Sequence, residues 1–495
     1  MTEPTAPDAV VGSVPVSRMA HAFSIQLACR AAGMLASVVS VAMTARYLGP
    51  GRYGQLSIAM LFIAMWTSLA DLGIATVIVR RVTSGRGDLE RLVRINSGLA
   101  LMYCVPLAVL AAGSGVLIYG DAHVRVMLVV LSGALLMQTM VTRLEPVFLA
   151  TVRFAAVAIS DVAGRIAALI LVAWLVASRC DVIWFAVAQL IPPAIALLVQ
   201  GGAAMRQISV RPLFALREAA DLLRESLPLI GFLVVGLLYC RADGVILSLL
   251  STPSEVGVYG LAFTIAFNTI VVSLIFLKST LSTATELFAR DVAAFAGFLR
   301  RSVELMYFSA VPVAVIGALL AGPLIGLFGD KAFIARGTPT LALLFVAAAL
   351  RFVSGTLGQG LVASHHQRIL LWLTVATLVL NVALNVALAG RLGAVGPGIA
   401  LVCTEFFNMV ISSWWLRREC SYRTPVLFGL RVLIPTGASV VAALALSGQH
   451  VVLRLGVAAV VYLVTSAVVG PLRWSDLGAL RTSVQGPPHQ NQPVA

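Results

Sequence analysis

The chain has 495 residues, of which 60% are hydrophobic and only 11% are charged. Soluble domains usually carry about 25% charged residues, so this inventory is too small to cover a water-exposed surface. The net charge of +14 would suit a nucleic-acid-binding protein, but the basic residues are scattered between apolar runs instead of being clustered. The composition therefore predicts a polytopic membrane protein without a nucleic-acid partner, and it excludes most soluble folds.

Apolar runs of about 20 residues, the length that crosses a bilayer, follow one another along the whole chain. Because lipid offers no hydrogen-bond partner to the backbone, each run should be helical, and the predicted fold class is all-α. We number the fourteen predicted spans in chain order. They are 22–45, 55–79, 95–119, 124–149, 155–177, 183–205, 227–250, 257–280, 302–328, 338–362, 368–389, 397–416, 426–446 and 452–470.

A weak internal repeat suggests that the chain has two six-helix halves around a central cleft. The turn Pro50-Gly51-Arg52-Tyr53-Gly54 and the turn Pro253-Ser254-Glu255-Val256-Gly257 place Pro and Gly at a constant offset of 203. The predicted segments are an N-terminal tail at 1–21, a first half at 22–205, an amphipathic connector at 206–226, a second half at 227–416, two additional helices within 426–470, and a disordered tail at 471–495.

The basic residues predict the orientation of the chain. When the N-terminus is placed inside, 20 of the 35 Lys and Arg residues fall in loops on that side and 8 fall on the other. Loops with excess positive charge stay in the cytoplasm. We therefore expect a multi-pass protein of the bacterial plasma (inner) membrane with both termini cytoplasmic.

The first turn carries a family resemblance. The stretch Ala45-Arg46-Tyr47-Leu48-Gly49-Pro50-Gly51-Arg52-Tyr53-Gly54-Gln55-Leu56-Ser57, followed by Leu69-Ala70-Asp71-Leu72-Gly73-Ile74 and Arg80-Arg81, resembles the opening of polysaccharide flippases. These form the Wzx-like, O-antigen-transporter branch of the multidrug/oligosaccharidyl-lipid/polysaccharide exporter superfamily. Val256-Gly257-Val258-Tyr259-Gly260-Leu261-Ala262 is similar to the middle signature of that family.

The resemblance implies an alternating-access flippase that moves a lipid-linked glycan, carried on a polyprenyl phosphate or pyrophosphate, from the inner to the outer leaflet. It also implies membrane lipids and the glycosyltransferases or polymerase of the same pathway as partners. A lipid II-type flippase and a multidrug or cation exporter of the same superfamily are the alternatives. An exporter of that kind should carry carboxylates along its leading helices. Span one of this chain instead has Arg30 and no acidic residue, which argues against the exporter.

No nucleophile elbow, dinucleotide fingerprint or Walker loop is found in the sequence, so we expect no cofactor and no enzymatic activity. The six cysteines form no CxxC pair, and the adjacent His365 and His366 have no acidic or thiol neighbour. We therefore expect no metal site. A membrane glycosyltransferase or polymerase is disfavoured because the predicted outer loops are too short for a typical catalytic lid.

Charged residues inside the spans are the candidate functional groups, because each costs several kcal/mol unless it has a partner or a watery cavity. Arg30, Arg241 and Arg351 are predicted to bind the phosphate of the lipid carrier, since a guanidinium matches phosphate oxygens bidentately. The alternative is that Arg241 pairs with Asp243 and Arg351 pairs with Glu405, as ion pairs that hold helices together. The possible cleft partners are Asp71, Asp243, Glu405, Asn381 and Asn385.

One further pair of charges is expected to be structural. Asp161 and Arg165 are four residues apart on span five, so they share a face of the helix and can neutralise each other.

Overall fold

The computed structural model of the protein describes residues 16–70, 73–151 and 155–469, without the side chains of 16–31, 228–235, 237, 238 and 240. α-Helices are the regular secondary structure of this described part, and no strand occurs in it. The helices are α1 (Val16–Leu69), α2 (Ile74–Thr83), α3 (Leu89–Ile118), α4 (Ala122–Thr151), α5 (Ala155–Ala177), α6 (Val182–Ala188), α7 (Ile191–Met205), α8 (Leu216–Leu250), α9 (Pro253–Phe267), α10 (Ile270–Arg290), α11 (Val292–Leu319), α12 (Ala321–Phe328), α13 (Lys331–Ala363), α14 (Gln367–Leu392), α15 (Val395–Cys420), α16 (Val426–Ala445) and α17 (Val451–Val469).

These helices confirm the all-α fold class with fourteen spans. Twelve helical stretches of the described residues are long and apolar enough to cross a membrane, and the first of them, Ala32–Thr83, contains spans one and two. The 35-residue helix α8 supplies span seven. The protein is thus a multi-pass membrane protein with two six-helix halves and two additional C-terminal helices.

Several spans are interrupted, which the apolar runs did not predict. The turn at Gly49, where φ is +66°, lies between spans one and two as predicted, because the following Pro50 disfavours the helical conformation of the residue before it. Span two itself breaks at Gly73, which has φ +62°. Spans six, eight and nine each consist of two helices, namely α6 and α7, α9 and α10, and α11 and α12.

The connector between the halves also differs from the prediction. Only residues 206–215 are non-helical, and α8 then runs without interruption from Leu216 through span seven. The first turns of α8 dock on the first half: Ala219 and Leu222 are buried in an apolar cluster with residues of α2 and α3. The Leu213 N–H also donates to the carbonyl oxygen of Arg94 at 2.9 Å. This docking explains why no separate connector helix forms.

Successive spans run in opposite directions, so every second loop should lie on the same face of the bundle. The contacts on one face agree with this expectation. Arg91 of α3 pairs with Glu218 of α8 at 2.6 Å, and Arg81 of α2 pairs with Glu225 at 2.7 Å. We call this arginine-rich side the basic face. It is the side that the charge bias predicts to be cytoplasmic.

On the opposite face the contacts also join only loops of that face. The Gln55 amide donates to Asp121 at 2.6 Å, and the Tyr47 hydroxyl donates to the carbonyl oxygen of Cys180 at 3.0 Å. The Ala394 N–H donates to the Glu255 carboxylate at 2.7 Å. The loops in these contacts therefore lie on the two sides of the bundle as expected for a chain that crosses the membrane fourteen times.

The two repeat-related turns pack against each other on the opposite face. A Cβ atom added to Gly54 would lie 1.7 Å from the carbonyl oxygen of Pro253, and one added to Gly257 would lie 2.4 Å from that of Pro50. Each glycine therefore contacts the proline of the other turn. Such a pair of equivalent contacts is expected when two halves are related by an approximate two-fold axis. The backbones can approach this closely only because both positions lack a side chain.

The largest apolar core lies around this crossing and joins the two halves. Leu56, Met127 and Phe185 of the first half and Leu261 and Phe333 of the second half belong to it and are almost fully buried. The halves are thus closed together on the opposite face.

The two additional helices form a hairpin on the outside of the second half. The Arg454 guanidinium of α17 donates to the carbonyl oxygen of Ala443 of α16 at 3.0 Å. The Tyr462 hydroxyl donates to the carbonyl oxygen of Phe308 of α11 at 2.6 Å. The hairpin therefore packs on the second half, and its residues Ala443, Val451 and Ala458 extend the apolar core that joins the halves.

Candidate functional site

Arg241 lies beside a cavity of about 260 Å³ between the two halves. Its position in α8 is nine residues before Leu250, which corresponds to about 14 Å of helix and places it near the middle of a ~30 Å hydrocarbon layer. We call this space the Arg241 cavity. It is lined by Tyr53, Ser57, Met60, Leu61 and Ala64 of α1 and by Arg241, Gly244, Tyr259, Gly260, Phe263 and Thr264 of α8 and α9.

The Arg241 guanidinium is not neutralised within this cavity. The described lining contains no carboxylate, and Arg241 forms no ion pair with the side chains that the structure describes. A cation at this depth is costly unless the cavity is hydrated or an anion enters it. The arrangement is suited to an anionic ligand.

Asp243 does not pair with Arg241, although the alternative interpretation of the sequence would have paired them. Residues two apart on a helix point in different directions. The Asp243 carboxylate, which is 2% exposed, faces α14 and α9. It accepts hydrogen bonds from the Asn385 amide at 2.9 Å and from the Tyr259 hydroxyl at 3.3 Å. Asn381 lies one turn before Asn385, whose amide donates to the Asn381 carbonyl oxygen at 2.9 Å.

Arg351 and Glu405 form the ion pair that the same alternative anticipates. The Arg351 guanidinium of α13 lies 2.6 Å from the fully buried carboxylate of Glu405 in α15. That carboxylate also accepts from the hydroxyls of Tyr239 at 2.7 Å and Ser354 at 2.5 Å. The Arg351 guanidinium stacks over the Tyr239 ring at 5.2 Å. The cluster therefore ties three helices of the second half together.

The other two predicted site residues cannot be placed in the same way. The backbone of Arg30 belongs to α1, but its side chain lies outside the described residues, as does the whole of Asp71. Their roles as phosphate ligand and cleft partner remain predictions.

A second, larger cavity of about 830 Å³ lies towards the basic face. We call it the large cavity. Its walls come from α1, α4, α5 and α7 of the first half and, in the second half, from α10 and from Asn268, which follows the last residue of α9. Its polar lining residues are Gln138, Thr142, Glu145, Ser160, Asp161, Arg165, Gln200 and Asn268.

The predicted pair of Asp161 and Arg165 is present, and it faces the large cavity. The Arg165 Nε atom donates to Asp161 at 2.9 Å, and Nη1 donates to the Ser37 hydroxyl of α1 at 2.7 Å. The two side chains are 38% and 49% exposed. Since both residues line the large cavity, part of this exposed surface faces it.

The sequence contained a signal for this cavity that hydropathy alone does not detect. Gln138, Thr142 and Glu145 lie at i, i+4 and i+7 of an otherwise apolar span, and Asp161 and Arg165 repeat this spacing on the next span. Polar residues that recur on one helical face within the membrane indicate a cavity-facing stripe.

Comparisons with known proteins agree with this architecture. The family model described as polysaccharide biosynthesis protein matches residues 20–281. No curated protein matches the chain by sequence.

Solved structures with the same fold include the lipid II flippase MurJ in an inward closed conformation, with 12% identity and a TM-score of 0.74 over 92% of this chain and 99% of that one. A multidrug resistance MATE transporter of the MOP superfamily in an inward-facing conformation has 15% identity and a TM-score of 0.66, over 80% of this chain and 98% of that one. An MOP superfamily transporter from Pyrococcus furiosus has 16% identity and a TM-score of 0.55, over 80% of this chain and 93% of that one.

Proposed function

The chain belongs to the polysaccharide biosynthesis protein family, and from this premise we propose that it is a flippase, a transporter without a catalytic step. Its cargo is an oligosaccharide or polysaccharide precursor on a polyprenyl phosphate or pyrophosphate, which it moves from the inner to the outer leaflet of the plasma membrane. The same proposal makes the glycosyltransferases or polymerase of that pathway its partners. The basic face is then cytoplasmic.

The observation that carries this proposal is that Arg241, in its cavity, forms no ion pair with any side chain that the structure describes. A phosphate that crosses the membrane interior must exchange its water shell for donors of positive charge. Arg241 offers such a charge at mid-depth between the halves, where no carboxylate of the described lining competes for it. Arg30, on the leading helix of the first half, is proposed as a second cation on the same path. Arg351 is held by Glu405 and is proposed to position the helices around the cavity.

The closed crossing at Gly54 and Gly257 supports alternating access. Because the halves are sealed on the opposite face, cargo at Arg241 can be released there only if the two turns separate. The glycine contact is made of backbone atoms and is surrounded by the apolar core, so a rocking motion of one half against the other must separate both.

Export of cationic drugs is a weaker candidate. A cation-binding cleft needs carboxylates along the leading helices, whereas the Arg241 cavity presents a guanidinium. Lipid II is itself a lipid-linked glycan, so a lipid II flippase would use the same chemistry. Lipid II and a polysaccharide precursor can be distinguished by identifying the lipid-linked glycan that accumulates when the gene is deleted.

The decisive experiment is deletion of the gene followed by analysis of the lipid-linked glycans on each leaflet. We expect a polyprenyl-linked glycan to accumulate on the inner leaflet and to disappear when the wild-type gene is restored. Mass spectrometry of that lipid shows whether it carries the disaccharide pentapeptide of lipid II or another glycan. An unchanged lipid-linked pool with continued export would refute the flippase.

Complementation with Arg241→Gln tests the site. We expect export to fall by about tenfold or more, the effect of losing charge-assisted hydrogen bonds. Arg431→Gln, the same substitution at an exposed position of α16, is the control and should export normally. Normal export by Arg241→Gln at normal protein levels would show that Arg241 does not bind the cargo.

A further inference from the structure

We infer that the large cavity is the compartment that binds the sugar units of the cargo while the phosphate lies in the Arg241 cavity. This inference rests on the proposed flippase function and assigns separate sites to the two parts of its substrate. Three independent features of the large cavity carry it: the chemistry of the walls, the half-exposed ion pair, and the helix breaks that meet there.

The walls present the groups that recognise sugar hydroxyls. Accessible groups of this kind are the amides of Gln138 and Asn268 and the hydroxyl of Thr142. Behind them the buried Gln200 amide donates to the Ser160 hydroxyl at 2.9 Å. Each sugar hydroxyl donates one hydrogen bond and accepts others, so it is best matched by amides, carboxylates and guanidinium groups placed side by side. The other lining residues, among them Met34, Val141 and Ile275, are apolar. The concentration of these groups in one membrane-embedded space indicates a ligand rich in hydroxyls.

The ion pair of Asp161 and Arg165 has hydrogen-bonding capacity to spare. Arg165 uses Nε for Asp161 and Nη1 for Ser37, and a guanidinium has five N–H donors in all. Span one has Gly33 opposite the pair, where an added Cβ atom would lie 3.1 Å from the Arg165 Cδ atom. The glycine lets the charged pair lie against α1 and keep its outer edge towards the cavity.

Two of the interrupted spans break at this cavity. Pro192 and Pro193, in the first turn of α7, line it just after the break in span six. Asn268, the residue after α9, lines it at the break in span eight, and its amide group donates to the carbonyl oxygen of Thr264 at 2.7 Å. The Asn268 side-chain oxygen remains as an acceptor. Helix breaks beside a cavity place backbone polar groups within reach of a ligand.

The two volumes suit this division of the cargo. About 830 Å³ lies within the range of ~300–1,000 Å³ that small-molecule sites occupy, so the large cavity accommodates the first few sugar units. About 260 Å³ at Arg241 is too small for an oligosaccharide and suits a phosphate group. The lipid tail stays in the bilayer.

The test uses two probes: the lipid-linked glycan extracted from the deletion strain, and bare polyprenyl pyrophosphate. Single cysteines are introduced by Thr142→Cys in the large cavity and by Ala64→Cys in the Arg241 cavity, after the native cysteines have been replaced by alanine. We expect the lipid-linked glycan to slow maleimide labelling at both positions by about fivefold or more, and the bare pyrophosphate to slow it only at position 64.

A binding variant gives a second readout. Gln138→Leu keeps the approximate size of the side chain and removes its amide, so it should weaken binding of the lipid-linked glycan about three- to tenfold. Binding of the bare pyrophosphate should not change, which distinguishes lost sugar contacts from misfolding. The control Arg241→Gln should weaken binding of both probes.

The outcomes separate the two hypotheses. If the lipid-linked glycan protects Ala64→Cys but leaves Thr142→Cys as reactive as without ligand, the flippase stands and the sugar compartment is refuted. An equal effect of Gln138→Leu on both probes also refutes it. If the deletion strain accumulates no lipid-linked glycan, the flippase function fails and the inference fails with it.

Discussion

Among single residues, the buried carboxylates Asp243 and Glu405 of the second half are hydrogen bonded by side chains on other helices. Glu405 is fully buried and accepts from Arg351, Tyr239 and Ser354. Asp243 is similarly surrounded by amide and phenol groups. A buried ion pair of this kind contributes little net stability compared with apolar packing, but breaking it is costly because the remaining charge loses its partner.

Glu405→Gln should therefore destabilise the protein. We expect a loss of about 3 kcal/mol in the free energy of unfolding, since Arg351 would face an amide instead of a carboxylate. Thermal unfolding of the detergent-purified protein measures this as a lower Tm. Glu419→Gln on the same helix is the matched control, because that carboxylate is 39% exposed and lies 3.9 Å from His366. Equal melting temperatures for the two variants would contradict the structural role of Glu405.

Among the helices and turns, the repeat-related turns form the seal between the halves. Gly54→Ala places a methyl group 1.7 Å from the Pro253 carbonyl oxygen, so the two turns must separate. We expect the halves to open on the opposite face. Ser57→Cys in the Arg241 cavity should then react several-fold faster with a membrane-impermeant maleimide, which enters only through the opened face.

Gly51→Ala is the control for this experiment. The position lies in the same turn, but an added Cβ atom there meets nothing within 4 Å. Labelling of Ser57→Cys should therefore stay at its original rate. Faster labelling in both glycine variants, or in neither, would show that the close approach at Gly54 does not hold the face closed.

The first turns of α8 are held by carboxylates whose pKa values are shifted downwards. Hydrogen bonds from Arg91 lower the pKa of Glu218, and those from Arg80 and Arg81 lower the pKa of Glu225. A carboxyl group with a depressed pKa in the docked state stabilises docking above its ordinary pKa. This contribution is lost as the pH falls through the depressed value. Docking of α8 should thus be intact at neutral pH and loosen in acid.

Hydrogen exchange of the amides of 216–225 measures this docking. After correction for the intrinsic exchange rates, exchange should be constant near neutral pH and should accelerate as the pH falls below 4.5, the ordinary pKa of these carboxyl groups. The double variant Glu218→Gln, Glu225→Gln should exchange faster than the wild type at neutral pH and show a weaker dependence on pH. Identical pH profiles for the two proteins would mean that the apolar contacts of Ala219 and Leu222 alone hold the segment.

At the scale of the whole molecule, the two faces of the bundle differ in charge and in closure. The basic face has most of the loop arginines and is adjacent to the large cavity, while the opposite face has the sealed crossing. This asymmetry is what a transporter needs in a state that loads cargo from the basic face. The orientation of the bundle in the membrane therefore sets the direction of transport.

Reporter fusions test that orientation. Alkaline phosphatase, which is active only outside the cytoplasm, should be active after Gly120 and after Gln449, both in loops of the opposite face. It should be inactive when fused within the loop at 206–215, and a fluorescent protein at the C-terminus should fluoresce. The reverse pattern would place the basic face outside and would contradict the direction of transport that we propose.

The sequence by itself determined the all-α class, the number of spans, the repeat-related turns and the pairing of Asp161 with Arg165. These features depend on hydropathy over about 20 residues, on the backbone requirements of Gly and Pro, and on i, i+4 spacing, all of which are local. The tertiary structure alone decided that Arg351 meets Glu405, that Asp243 turns to Asn385, and that Arg241 faces a cavity. The partner of a side chain on another helix depends on the rotation and depth of both helices. Packing among residues far apart in the chain sets these two quantities.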